Sequence, residues 1–502
     1  MNLRLVARYL GVFVVFLAVL FFMCALVSLV YGEYGAALSF VWSIGLTLVA
    51  GGSLWMVGYR SSSAFFQREA LAVVALSWII LGILGSLPFL IHGLLNPSEA
   101  IFESVSGLTT TGASVIDNLE SYPQGILFWR ALSHWFGGIG IVIMFIAVLP
   151  HLGAGGKQLF KSEASGPAPR TLRPRIRESA MTLVLIYLAL TAAQVLALLL
   201  TGDMNLFEAV CHAFATISTG GFSTRQNSIA AFDSLPVELI TIFFMLAGGT
   251  SFALYFRFVR SDRFSFLKDA EWRVYIVIFV VATVLVSLNI SGWIGAAPLR
   301  ATGSPGVPET NVYQDHPHHA LRAAAFSVAT VQTNCGFVTD DFDTWPYFSR
   351  MLLVMLMFLG GCAGSTSGGI KQIRGLIVLK LIHGRLQTLF RPKTIRPLLV
   401  NGEEITLPVQ QQVLVFVIAY LMCFATATLG MSLFGLPFAS AASVVATCMS
   451  NTGPGIELFG ASETFSILSG GPLLFLSGCM ILGRLEIFTF LVLFVPSFWR
   501  IR

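Results

Sequence analysis

The chain has 502 residues, of which 56 % are hydrophobic and 11 % charged, against about 25 % charged in ordinary globular proteins. So few charges cannot cover the surface of a soluble protein this size, so its solvent is largely lipid; disorder, coiled coil and a disulfide-rich scaffold are excluded with it. A net charge of +5 from 30 Lys and Arg against 25 Asp and Glu is too mild for a nucleic-acid-binding face.

A bilayer core needs about 20 apolar residues per helix. Arg4 and Arg8 precede an apolar run over 9–31, too long for a signal peptide and without a small-residue cleavage site, so it predicts a retained transmembrane helix. A second follows at 37–59. Further long apolar runs lie near 70–93, 126–150, 179–201, 236–259, 273–294, 346–370, 409–434 and 466–495. Between successive pairs sit shorter, half-polar segments at 98–121, 205–230, 319–342 and 438–462. Each starts moderately apolar, too short to span, and ends in a polar run containing Gly. That pattern predicts a re-entrant helix and loop, tolerated at membrane depth only where it lines a cavity or is buried in protein.

Basic residues set the orientation. On one side of the alternation fall 24 of the 30 Lys and Arg, among them the runs Lys157–Arg177 and Lys371–Arg396, while 93–129 and 435–466 hold none. The basic side is expected to be cytoplasmic, with both termini inside and the Gly runs entering from outside.

Four of these runs align: Thr109-Thr110-Thr111-Gly112-Ala113, Ser218-Thr219-Gly220-Gly221-Phe222, Thr333-Asn334-Cys335-Gly336-Phe337 and Ser450-Asn451-Thr452-Gly453-Pro454. Their glycines, Gly112, Gly221, Gly336 and Gly453, recur at intervals of 109, 115 and 117 residues. The second run has two glycines; Gly221 is taken as the register position because Phe222 then aligns with Phe337, with Gly220 the alternative. A cation stripped of water needs oxygen dipoles, and stacked backbone carbonyls supply them. Gly tolerates the unusual φ values that such stacking demands. The predicted fold is thus an all-α membrane protein with four pseudo-symmetric helix–pore-loop–helix repeats around one central pore. Residues 1–60 supply two extra helices, and the repeats occupy 61–160, 161–262, 263–395 and 396–502. Neutral carbonyls suit a monovalent cation, since Mg²⁺ dehydrates reluctantly and Ca²⁺ sites recruit carboxylates. Glu99, Glu103, Asp117, Glu120, Asp340, Asp341, Asp343, Glu457 and Glu463 lie on the outer side. They either raise the local cation concentration or are ordinary solvated loop charge.

With these runs, FLGGCAGSTSGGIKQIR in the third unit and LGRLEIFT in the last helix, the sequence resembles the Trk/Ktr/HKT superfamily of K⁺ transporters over almost its whole length. The two extra N-terminal helices fit the bacterial Trk branch. The resemblance implies potassium uptake across the bacterial inner membrane through a pore-forming, multi-pass, homodimeric subunit. It also implies K⁺ as the transported ion and a cytosolic nucleotide-binding regulatory subunit as partner. The filter is then expected from Thr110, Thr111, Gly112, Thr219, Gly220, Gly221, Asn334, Cys335, Gly336, Asn451, Thr452 and Gly453. Glycine at all four register positions resembles the K⁺-selective pattern.

Two features lie beneath the expected filter. Residues 360–369 hold five glycines, each costing about 1 kcal/mol in a helix interior relative to Ala. A flexible gating loop is expected, with Gly364, Ser365, Thr366, Ser367, Gly368, Gly369 and Lys371 as its residues; a small-residue helix crossing is the bland alternative. Arg484 is the one basic residue in the last long span. A charge there is expensive and so functional or paired. It is expected to oppose cations leaving the filter, and the family carries an Arg at this place; pairing with Glu486 or another buried acid is the alternative.

The seven cysteines, Cys24, Cys211, Cys335, Cys362, Cys423, Cys448 and Cys479, form no CxxC pair and read as small buried hydrophobes. Asp315, His316, His318 and His319 fit no common zinc motif. His134 and His212 read as core histidines. Two other functions compete. An alternating-access carrier would need repeats of opposite topology. An intramembrane enzyme using Ser133 and His134 would need side chains that face each other, which neighbours on one helix do not.

Overall fold

The computed structural model describes residues 1–61, 67–148, 172–260, 264–294, 313, 317–391 and 397–500. Three expected repeat boundaries, at 160/161, 262/263 and 395/396, lie outside the described residues, as do Lys157, Lys161, Arg170, Asp315 and His316. Among the described residues six helices are long and apolar enough to cross a membrane, and eight if each sharply bent pair counts as one span.

The first two, α1 (Leu3–Val30) and α2 (Tyr34–Gly58), form a hairpin. Its crossing is built on small residues: a Cβ on Gly11 would lie 2.7 Å from Gly51 O, and one on Gly58 2.3 Å from Arg4 O. Without a hydrophobic drive between helices in lipid, such close backbone approach holds them together. The turn between them carries Glu33, whose carboxylate accepts the Gln124 and Gly125 N–H groups at 2.6 and 3.0 Å. A carboxylate at a helix N-terminus meets both the orphan donors and the positive end of the dipole, so Glu33 ties the hairpin to the first repeat.

Each repeat follows one plan. The first is α3 (Gln67–Gly85) with α4 (Leu87–His92), then short α5 (Pro97–Leu108), a loop, and α6 (Gln124–Val148). The second is α7 (Leu172–Thr201), α8 (Leu206–Ile217), a loop, then α9 (Leu235–Gly248) and α10 (Phe252–Arg260). After α11 (Ser265–Lys268) come α12 (Ala270–Ile290), α13 (Pro317–Gln332), a loop, α14 (Tyr347–Leu359) and α15 (Gln372–Phe390). A two-residue hairpin of β1 (Leu399–Val400) and β2 (Glu403–Glu404) leads to α16 (Leu407–Leu433), α17 (Phe438–Ser450), a loop, and α18 (Gly471–Arg484), α19 (Phe488–Leu491) and α20 (Pro496–Trp499).

The four short helices have 12, 12, 16 and 13 residues, too few to cross a bilayer. Their starts are encoded locally. Asn96 and Asn205 each begin a capping box, closed by Glu99 and Glu208 three residues on. All four are buried in protein along most of their length.

The long runs at 236–259 and 466–495 are not single straight spans. They bend by 92° between α9 and α10 and by 116° between α18 and α19. Gly248 and Gly249 end α9, and positive φ values at Glu486 and Ile487 (54° and 56°) turn the chain after α18. The interruption expected only in the third repeat therefore occurs in three of the four, and α6 alone runs on unbroken. Hydropathy averages over a window and does not register a three-residue break.

Candidate functional site: the four-loop ring and the segment beneath it

The loops after α5, α8, α13 and α17 share one backbone trace. Thr110, Thr219, Asn334 and Asn451 have φ of 54°, 54°, 55° and 55°, and two residues on Gly112, Gly221, Gly336 and Gly453 have φ of 84°, 80°, 94° and 94°. Gly221, not Gly220, therefore occupies the register position. Left-handed backbone suits Gly and is tolerated by Asn, but for the β-branched Thr110 and Thr219 it is strained. The repeat of this strain at equivalent places is a signal that the sequence alone did not carry.

The loops close into a ring. A Cβ on Gly112 would lie 2.2 Å from Gly220 O, one on Gly221 2.2 Å from Cys335 O, one on Gly336 2.2 Å from Thr452 O, and one on Gly453 2.8 Å from Thr111 O. Each glycine thus abuts the carbonyl that precedes the glycine of the next loop, and the fourth returns to the first. No side chain fits at such a contact. Hydrogen bonds join the same neighbours further out. Leu119 N–H donates to Gln226 at 3.2 Å, Ala230 N–H to Val338 O at 3.2 Å, Glu457 N–H to Asp343 at 2.8 Å and Phe465 N–H to Ser114 O at 2.9 Å. The C-termini of the four short helices all arrive at this ring, because each loop starts where its helix ends. A helix C-terminus carries roughly half a negative charge, so the ring is a favourable place for a cation.

Side chains of the short helices brace the loops. Ser106 donates to Ala113 O at 2.6 Å, Thr447 to Gly453 O at 2.8 Å, and Thr330 accepts from Gly336 N–H at 3.0 Å. His134 on α6 bridges Gly107 O (2.7 Å) and Phe222 N–H (3.2 Å). The backbone N–H can only donate, so Nε2 accepts and Nδ1 carries the proton to Gly107 O. Its ring also lies 2.5 Å from where a Gly220 Cβ would be, which is why that second glycine is present. His212 is similarly occupied, by Glu208 O at 2.8 Å and Ser223 at 2.9 Å. Ser133 donates to Arg130 O at 2.7 Å. Ser133 and His134 are thus each bonded elsewhere and do not pair as nucleophile and base.

One cavity opens above the ring, lined by all four register glycines; among the described residues its ionisable lining is Arg130, Arg225 and Glu463. Most of the outer acids hold structure. Glu103 pairs with buried Arg130 at 2.7 Å, Asp343 and Glu457 with Arg350 at 2.6 and 3.1 Å, and Glu99 accepts Asn96 N–H at 2.9 Å. Glu120 accepts Gln226 N–H at 3.0 Å, Asp117 the Thr464 hydroxyl and Asp340 the Tyr313 hydroxyl. Among the described residues Glu463 is the one carboxylate that lines the cavity itself.

Residues 360–371, between α14 and α15, cross beneath the ring. They form a hydrogen-bonded, non-helical loop. Its neck is closed by Ile370 N–H to Phe358 O at 2.8 Å and Gln372 Nε2 to Gly360 O at 2.7 Å. Thr366 Oγ1 reaches Ile217 O at 2.9 Å and Gly248 O at 3.1 Å, and Cys362 N–H donates to Gly249 O at 2.8 Å. The carbonyls freed at the α8 and α9 termini are thus satisfied by this segment. Close packing is part of it too: a Cβ on Gly368 would lie 2.0 Å from Ser450 O, and one on Gly361 2.6 Å from Gly249 O. Positive φ at Gly360, Gly364, Gly369 and Lys371 keeps it non-helical. Buried Lys371 donates its ammonium to Ser367 O.

Arg484 ends α18 at 3 % exposure. Its Nη1 donates to Thr366 O at 2.7 Å and its Nη2 to Gly137 O at 3.4 Å. Glu486 pairs instead with Arg374 at 2.6 Å. Among the described residues no carboxylate is paired with Arg484, so the structural-pair alternative with Glu486 is overturned. The guanidinium joins the crossing segment to α6 of the first repeat.

Four short buried helices, each ending in a loop of the same backbone trace and closed into a ring among helices long and apolar enough to span, define a multi-pass membrane protein. Residues 36–501 match the TrkH family of cation transport proteins, and the chain belongs to that family. The Trk system potassium uptake protein TrkH of Salmonella typhimurium is 36 % identical over 505 residues, and that of Vibrio parahaemolyticus 37 % over 506, each covering 100 % of both chains. The crystal structure of the potassium transporter TrkH from Vibrio parahaemolyticus superposes with a TM-score of 0.86 at 35 % identity, covering 100 % of both. The chain is a transporter, not an enzyme.

Proposed function

We propose that this protein takes up potassium across the bacterial inner membrane, with K⁺ as the transported ion and the four-loop ring as its selectivity filter. The observation that carries this reading is the cyclic contact of Gly112, Gly221, Gly336 and Gly453 with the carbonyls of Gly220, Cys335, Thr452 and Thr111. Thr110, Thr111, Thr219, Gly220, Asn334, Cys335, Asn451 and Thr452 complete the filter. Partial negative charge converges there from four helix ends, and the oxygens are neutral, which suits a monovalent cation. Residues 360–371 are the gate, latched by Arg484 on Thr366 O at 2.7 Å. The basic side of the sequence is cytoplasmic, with both termini inside. The relatives' name, Trk system, supports association with further components, and the family resemblance supports a homodimer regulated by a cytosolic nucleotide-binding subunit. Four loops that meet in one ring, each register glycine against the carbonyl of the next loop, favour parallel repeats round a pore over the inverted repeats of a carrier. Rb⁺ or K⁺ uptake in cells lacking their own potassium uptake tests the reading. Restored, saturable uptake is expected; none from a protein expressed in the membrane would refute it.

A further inference from the structure

Ser367, in the segment beneath the ring, is hydrogen-bonded in two directions. Its hydroxyl accepts Gly361 N–H at 2.8 Å within the segment and donates to Asn334 Oδ1 at 2.9 Å in the third loop. Asn334 stands immediately before Cys335, whose carbonyl abuts Gly221. Its amide donates to Met357 O at 2.9 Å and to Thr452 Oγ1 at 2.7 Å in the fourth loop. Thr452 in turn carries the carbonyl against Gly336. A continuous chain of hydrogen bonds therefore runs from the crossing segment through the third loop to the fourth. Every member is buried, where a polar group left unpaired is costly.

The molecule contains its own comparison. Asn451 occupies the equivalent place in the fourth loop and makes the equivalent donations, to Thr111 Oγ1 at 2.9 Å and Met480 O at 3.0 Å. Its Oδ1 is buried and accepts no hydrogen bond among the described residues. The bond from Ser367 is thus an added link on the third loop's Asn, which the fourth loop's Asn lacks although Gly368 packs beside it.

We propose that Asn334 is a positioning residue that couples the crossing segment to the ring, so that moving the segment loosens the third and fourth loops and lowers ion selectivity. To clear the path, residues 366–368 must leave Asn334, and its Oδ1 then loses its partner. Asn334 is then held only by its donations to Met357 O and Thr452 Oγ1, and its hold on Thr452 is less firmly fixed. Selectivity is accordingly highest with the segment seated. The proposal rests on the filter and gate reading above.

The test compares Ser367→Ala with Ser367→Thr in proteoliposomes, reading the K⁺/Na⁺ permeability ratio beside flux. Ser367→Ala removes the donor and should lower the ratio by about 2- to 10-fold, the range of one hydrogen bond. Ser367→Thr keeps the hydroxyl and should retain the wild-type ratio. Should the alanine protein not be recovered, Ser367→Cys, a weaker donor of similar size, should lower the ratio in the same direction. A Ser367→Ala protein with altered flux and an unchanged ratio overturns the coupling, as does an equal loss in the Ala and Thr variants. Gly336→Ser run alongside separates the two readings. If it leaves the ratio unchanged, the filter assignment itself fails; if it lowers the ratio while Ser367→Ala does not, only the coupling fails.

Discussion

Replacing a register glycine by serine perturbs two things at once. The residue must hold a positive φ, between 80° and 94° at these positions, which costs an L-residue roughly 1–2 kcal/mol. Its Cβ must also share space with a backbone oxygen. At Gly112, Gly221 and Gly336 that oxygen is 2.2 Å away, and at Gly453 it is 2.8 Å away. Ordinary contact distances are well above 3 Å, so the carbonyl must retreat by roughly 1 Å at the first three positions and by less at the fourth. The displaced atoms are the ring oxygens of Gly220, Cys335 and Thr452. A ring with one oxygen moved that far no longer replaces an ion's hydration shell evenly. A change of about 1.4 kcal/mol in relative ion stabilisation is tenfold in selectivity. We expect Gly112→Ser, Gly221→Ser and Gly336→Ser to lower the K⁺/Na⁺ ratio by about tenfold or more, and Gly453→Ser to lower it least. The assay is competition between Rb⁺ and Na⁺ uptake in proteoliposomes, with detergent melting temperature as the folding control. Four folded variants with wild-type selectivity would refute the ring as a filter, and a Gly453→Ser protein more damaged than the rest would refute the steric argument.

Arg484→Gln removes a charge that at ~8 Å and an effective dielectric of about 20 opposes a cation by about 2 kcal/mol. Because Glu486 is paired with Arg374, flux should rise by about 3- to 30-fold at nearly unchanged melting temperature; unaltered flux in a stable protein would count against both the barrier and the latch. Shortening Gly364–Gly369 removes the contacts of Thr366 and Ser367 beneath the ring and should raise K⁺ flux while reducing dependence on the cytosolic subunit; unchanged flux in a well-folded deletion leaves these residues a packing role alone. Asp340, in an outer loop, has its carboxyl raised from 3.8 to about 6, chiefly by burial. The folded chain therefore binds a proton between those values that the unfolded chain has released, so this group's contribution to stability falls as pH rises from about 4 through about 6. Asp340→Asn should flatten the melting-temperature profile over that window, and an unchanged slope would assign it elsewhere.

Membrane residence, the repeat and the ring positions were legible in the sequence for physical reasons. Lipid demands long apolar runs, so a half-polar segment of 12 residues flanked by such runs has few places to go. A backbone that must turn through positive φ at the same point in each repeat leaves a glycine there, and four aligned glycines are visible without coordinates. Capping boxes at Asn96 and Asn205 are likewise local chemistry. What depended on tertiary structure was everything that joins distant parts. The choice of Gly221 over Gly220 was settled by φ and by the His134 ring packed where a Gly220 side chain would go. The bend after α9 leaves the Gly248 and Gly249 carbonyls to a crossing segment from another repeat, and the bend after α18 runs through positive φ at residues 486–487. The sequence left the outer acids open between a cation-concentrating field and ordinary loop charge; in the fold most pair with an arginine or accept local hydrogen bonds, because neighbouring loops supply the donors. Arg484 has Glu486 two residues away in sequence, but α18 ends at Arg484 and the chain turns through positive φ at Glu486, which pairs with Arg374. The partners of Arg484, Thr366 O and Gly137 O, lie 118 and 347 residues away along the chain. Local patterns thus determined which segments enter the membrane and where the backbone must twist, since those depend on solvent and φ alone. Which oxygen meets which glycine, and which charge finds a partner, depended on contacts between repeats, and only the closed ring brings those together.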